Sequence, residues 1–201
     1  MGVSKEQATA NRRAIVTAAA ALFRERGVDG VGVTELMKQA GFTQGGFYNH
    51  FKSKDALVAE VVAEELATGR VRMIKSSQLP TKAGNSALQQ FITYYLSVIH
   101  RDNIERGCPL AGFAAEVVRH GAEAQAHFAG GVDDGITLLA GMIARHGSSG
   151  TDSRTLRERA TCLYSALVGA VMLSRAMVVS DPKLADDILH SNRAALLETY
   201  G

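Results

Sequence analysis

"VTELMKQAGFTQGGFYNHFKSKDAL", Val33 to Leu57, is the stretch that decides the fold of this chain. Val33, Leu36, Met37 and Ala40 recur at helical spacing until Gly41 ends the run, and Phe47 and Phe51 then set two rings one turn apart in a third short helix. Only Gly41, Phe42 and Thr43 lie between these runs, Gly41 suited to leave one helix and Thr43 to cap the next. Two helices joined so tightly read as a helix-turn-helix. Inside the third helix, Gly45 and Gly46 stand side by side, although a glycine costs a helix interior about 0.8–1 kcal/mol relative to alanine.

Working outward, Ile15, Ala18, Ala19, Leu22 and Phe23 form the buried stripe of a preceding helix that Gly27 closes. Downstream, Ser53 is placed to cap a long fourth helix in which Leu57, Val58, Val61, Val62 and Leu66 continue the buried spacing to about Ser76. "SSQLPTKAGNS", Ser76 to Ser86, reads as a linker. Beyond it the sequence predicts a helix around Phe91 to His100, one opening at Cys108-Pro109, one from about Val132 to His146, a polar "GSSGTDS" segment, and final helices around Leu156–Val179 and Pro182–Tyr200. Glycine-rich "AGGVDDG" reads as lying between helices. The expected fold is all-α with about nine helices: a head over residues 1–54, a connecting helix over 55–76, and a helical body over 77–201.

In the third helix Phe47 and Phe51 point toward Leu22, Phe23 and Leu36, so the pairs Gln44/Tyr48 and Gly45/Asn49, four apart, face outward. That outer face has the chemistry of a DNA-reading surface. Gln and Asn make paired hydrogen bonds to adenine, Tyr and His reach phosphate oxygens, and glycines without Cβ let the helix sit close to base edges in the major groove. Lys54 in the first turn of the fourth helix is disfavoured by the macrodipole, and a phosphate there would satisfy both the lysine and the free N–H groups.

Composition agrees with a soluble helical protein: 201 residues, 46% apolar, 21% charged, three prolines. Met1 to Lys54 carries eight Lys or Arg against four acidic residues, and the remainder fourteen against sixteen. The basic excess therefore sits on the head. Cys108 and Cys162, far apart and with no signal-peptide pattern, suggest no disulfide framework and a cytoplasmic setting. The apolar run from Ala160 to Val179 is interrupted by Thr161, Ser165, Ser174 and Arg175, which favours a buried helix over a membrane span. No phosphate-binding glycine loop, nucleophile elbow or His-Glu-x-x-His motif is present, so an enzyme is not expected. A helical interaction module without DNA binding is the competing reading.

Residues 33–57, together with the preceding "AIVTAAAALFRERGVDGVG", strongly resemble the DNA-binding head of the TetR (tetracycline repressor) family over roughly the first sixty residues. The resemblance implies a homodimeric, ligand-responsive transcription factor, usually a repressor, that binds a double-stranded operator and needs no cofactor or metal. Carried over by position, Gln44, Gly45 and Asn49 would approach bases with Gly46 beside them. Tyr48, His50 and Lys54 would hold phosphates, Thr43 would cap and touch the backbone, and Thr34 would face phosphate or a base edge. Gly32 and Met37 depart from the usual Thr and Ala of that pattern. By the same resemblance the last two long helices would pair with their copies, and an inducer would lie between the middle helices. Phe91, Tyr94, Tyr95, Phe113, Phe128, Met142 and Tyr164 are candidate walls.

"RGCPLAGFAAEVVRHG" is the most distinctive piece of the body. Cys108 precedes a proline suited to a first helical position, where the positive helix end favours a thiolate, so it is a candidate contact for an electrophilic or oxidising inducer. Glu116, His120, Glu123 and His127 would share a face of one unbroken helix, but Gly121 is placed to break it, and a solvated polar face is expected rather than a metal site.

Overall fold

The computed structural model describes residues 4–77, 85–104, 107–146 and 151–200. Among them are nine α-helices and one 3-10 helix, and no strand. In chain order these are α1 (Lys5–Arg26), α2 (Val33–Gln39), the 3-10 helix (Gln44–Asn49), α3 (Lys54–Ser77), α4 (Ala87–Tyr95), α5 (Val98–Asp102), α6 (Pro109–Val117), α7 (Gly121–Arg145), α8 (Ser153–Met177) and α9 (Pro182–Tyr200). They fall into two compact units, Met1–Leu66 with Gly112–Ala129, and Ala67–Ala111 with Gly130–Gly201. The segment 112–129 thus packs with the head, an association that no local sequence signal carries.

In the first unit the predicted stripes are buried except at Ala18, Val33 and Ala40, which are half-buried. Ile15, Ala19, Leu22 and Phe23 of α1, Leu36 and Met37 of α2, Phe47, Phe51, and Leu57, Val58, Val61, Val62 and Leu66 of α3 form its core with Phe113, Val117 and Ala124. Helix ends follow the punctuation read from sequence. Gly27 and Gly41 adopt left-handed φ of 71° and 83°, and the Ser53 hydroxyl accepts the Ala56 N–H at 3.1 Å. Thr43 stands at the N-cap of the 3-10 helix in extended conformation, but its side chain makes no capping bond.

In the second unit α8 and α9 pack together, burying Ala160, Leu163, Leu167, Ala170 and Val171 with Ala185, Leu189 and Leu196. By length and composition α8 is long and apolar enough to cross a membrane, and this buried stripe is what it places against the rest of its unit. Arg101, 5% exposed, ties α5 to both: its guanidinium donates to Asp186 at 2.5 Å and to the Ser174 hydroxyl at 3.4 Å, and Ser174 donates to the Ala185 carbonyl.

Several helix boundaries differ from the sequence expectation. The span from Phe91 to His100 is two helices, because Leu96 ends α4 and the Ser97 hydroxyl caps α5 by accepting the His100 N–H. "AGGVDDG" is not a connection: Ala129–Gly135 lies inside α7, which starts at Gly121 instead of near Val132. A Cβ at Gly135 would collide with the Tyr164 ring, so this helix accepts a glycine to admit an aromatic neighbour. Of the expected linker, Ser76 and Ser77 belong to α3 and Ser86 opens α4 with a capping box to Gln89; residues 78–84 lie outside the described residues, as do residues 147–150 of the polar segment before α8.

Candidate nucleic-acid interface

Six residues, two of them glycines, are too few to sustain a costly α-helical nucleus, and Gln44–Asn49 winds as the tighter 3-10 form. With three residues per turn, Gly45 shares a face with Tyr48 and Gly46 with Asn49. This replaces the pairing of Gln44 with Tyr48 and Gly45 with Asn49 that α-helical spacing predicts.

The segment hangs from the core by its rings. Phe47 is fully enclosed and stacks on Phe51 with centroids 5.5 Å apart, while Tyr48, 70% exposed, meets the Phe47 ring edge-on at 5.3 Å. Thr43, Gln44, Gly45 and Asn49 are exposed, Gly46 and His50 half-buried, and Thr34 exposed near the start of α2. The structure therefore brings the predicted reading residues together on one outward segment.

Neither glycine is demanded by the fold. Both have ordinary backbone angles, a Cβ at Gly45 would meet nothing within 4 Å, and one at Gly46 would make only ordinary contact with Met37 Cε at 3.5 Å. Met37, fully buried, occupies the space beneath Gly46.

Arg12, which the sequence reading passed over, fixes the end of this segment. Its Nε lies 2.9 Å from both Glu60 carboxylate oxygens, its guanidinium sits 4.1 Å over the Phe51 ring, and it donates to the His50 carbonyl. A cleft of about 460 Å³ opens there, lined by Arg12, His50, Phe51, Lys52, Glu60, Glu123 and His127 among others. Its partner Glu60 is 48 residues away, so nothing local marks Arg12.

Lys54 is half-buried and its Nζ donates to the Val28 carbonyl at 2.7 Å. That carbonyl supplies, from inside the fold, part of what an external anion was invoked for. The polar cluster of the α6–α7 corner is only in part the solvated face expected. Glu116 accepts the Val28 N–H at 3.1 Å, and His120 is 6% exposed with Nδ1 3.1 Å from Asp55, while Glu123 and His127 are exposed. Gly121, with φ 83°, does separate α6 from α7, and no group of three or more metal-ligating side chains occurs among the described residues.

The proposed effector walls divide between the units. Phe91, Tyr95, Cys108, Met142 and Tyr164 belong to the second, Phe113 and Phe128 to the first, and Tyr94 turns outward, 49% exposed. Tyr95 is buried, and burial, with Cys108 beside its hydroxyl, raises its pKa; burial likewise raises that of Tyr164. His100 Nδ1 donates to the Tyr95 carbonyl at 2.7 Å, and burial lowers that histidine to about 4.

Comparison with known proteins bears on both units. Residues 15–61 match the family model described as bacterial regulatory proteins, tetR family, and residues 85–182 match that of the transcriptional regulator LmrA/YxaF-like C-terminal domain. The HTH-type transcriptional regulator YdgC of Bacillus subtilis is 39% identical over 75 residues, 37% of each chain. The HTH-type transcriptional repressor KstR2 of Rhodococcus jostii is 35% identical over 79 residues, 38% of this chain and 39% of the repressor. The matches thus span under two-fifths of these curated relatives. The crystal structure of reduced Escherichia coli NemR superposes with a TM-score of 0.75 at 21% identity, covering 94% of this chain and 96% of NemR, a likeness of fold.

Proposed function

This chain belongs to the TetR family of bacterial regulatory proteins, and from that premise we propose that it is a cytoplasmic, homodimeric transcriptional repressor that binds an inverted-repeat operator and is released by a small-molecule inducer. The observation that carries the proposal is the outward 3-10 helix whose two glycines the fold does not use. Seated in the major groove, Gln44, Gly45 and Asn49 read base edges with Gly46 close behind, and Thr34, Thr43, Tyr48, His50 and Lys54 hold the backbone.

Dimerisation through α8 and α9 accords with the apolar side chains these helices leave outside, Leu173 at 55% and Leu184 at 47% exposure, beside the exposed Ser165 and the open position at Gly169. Two-fold symmetry then presents two reading segments about 34–36 Å apart. The inducer site takes Tyr95, Cys108 and Tyr164 as its polar side and Phe91 and Met142 as apolar walls. A ligand releases DNA only by binding one conformation better than the other.

The test is selection of genomic fragments by the purified protein, followed by titration of a selected duplex. Affinity should fall steeply between about 50 and 200 mM salt. Replacing Gln44 should change which operator is chosen by roughly 1–3 kcal/mol at a contacted base pair. A chain that stays monomeric and retains no duplex at low salt is instead the helical interaction module. An inducer response unchanged in Cys108→Ser removes that thiol from the effector site.

A further inference from the structure

Val28, the buried residue after the left-handed Gly27 that ends α1, is held from both sides. Its carbonyl accepts the Lys54 ammonium at 2.7 Å and its N–H donates to Glu116 Oε2 at 3.1 Å. Glu116 lies in α6, 88 residues from Val28, outside any segment the sequence assigns to the head. The same corner grips the neighbours of both residues. Arg119 Nε is 3.5 Å from Asp29, Arg119 also donates to Glu116 at 2.8 Å, and His120 Nδ1 is 3.1 Å from Asp55, the residue after Lys54.

Resting on the regulator reading above, we propose that Glu116 is a positioning residue for DNA binding: it fixes Val28 so that the Val28 carbonyl holds Lys54 where its remaining protons meet a phosphate. A lysine carries three donors on a flexible stem. One is spent on Val28, and that bond sets the place of the other two. If the Val28 backbone shifts, the ammonium swings with it. Arg119 and His120 add a second effect, since they face Asp29 and Asp55, the carboxylates that would otherwise repel an approaching phosphate beside Lys54. The α6–α7 corner thereby belongs to the nucleic-acid interface without touching nucleic acid.

A double-mutant cycle on a selected duplex, with full-length Glu116→Ala, Lys54→Ala and their combination, tests this. Glu116→Ala should weaken binding about tenfold, the loss of one charged hydrogen bond, and lower the salt slope by about one. In the Lys54→Ala background it should add nothing. Glu116→Gln, whose amide oxygen still accepts the Val28 N–H, should stay within about twofold of wild type and guards against a fold defect being read as a binding defect. Multiplying effects, or an Ala variant equal to wild type, overturn the proposal. A wild-type chain that binds no duplex overturns the regulator reading itself.

Discussion

Gly45 in the head and Gly135 in the body are both glycines inside helices, and they are there for opposite reasons. A Cβ at Gly45 would project into open space, whereas one at Gly135 would strike the Tyr164 ring; likewise one at Gly107 would strike the Arg175 guanidinium. At Gly135, glycine yields volume to a neighbour of the same chain. At Gly45 it yields volume to nothing the chain contains. Gly112, Gly130 and Gly169 are as open as Gly45, so what sets Gly45 apart is its place on the short outward segment beside the exposed Gln44, Tyr48 and Asn49.

The largest expected effect strikes the inner side of the reading segment. Phe47 is fully enclosed and is what attaches the segment to the core, so Phe47→Ala should cost about 3–5 kcal/mol in chemical denaturation. A loss under about 1 kcal/mol would mean the segment is not anchored through that ring. Next comes acid acting on the body. His100 is lowered from 6.5 to about 4 by burial, so the unfolded chain takes up a proton that the folded chain refuses. Stability from this residue is intact above pH 6.5 and drains as pH falls toward 4, by about 3 kcal/mol in all. His100→Asn should flatten that part of the stability profile.

The two glycines make the sharpest pair. Gly135→Ala should destabilise by about 1–3 kcal/mol, since the Tyr164 ring must move. Gly45→Ala should leave the thermal midpoint unchanged or raise stability by under about 1 kcal/mol, while weakening duplex binding. If Gly45→Ala bound DNA as wild type does, close approach would not be its purpose, and the contrast between head and body would lose its functional meaning.

Much of the architecture was legible because it is written in local repeats. The stripes Ile15–Phe23 and Leu57–Leu66, the exits at Gly27 and Gly41 and the cap at Ser53 each depend on residues within a turn or two of one another. Boundaries failed where a distant neighbour overrode a local signal. Glycine-rich Ala129–Gly135 punctuates nothing because α7 is packed at Gly135 against Tyr164, whereas Gln44–Asn49 tightened to 3-10 for a local reason, its brevity and two glycines.

By itself the sequence determined that this is an all-helical chain with a helix-turn-helix near its start, a basic head and a glycine-bearing outer face on its third helix, since periodicity, capping and composition are properties of neighbouring residues. Only the tertiary structure decided that Arg12 closes on Glu60, that Lys54 rests on Val28, and that Glu116 and His120 of a remote corner pack with the head. Those pairings lie 26 to 88 residues apart. They exist because helix packing brings the partners within hydrogen-bonding range, which no local pattern encodes.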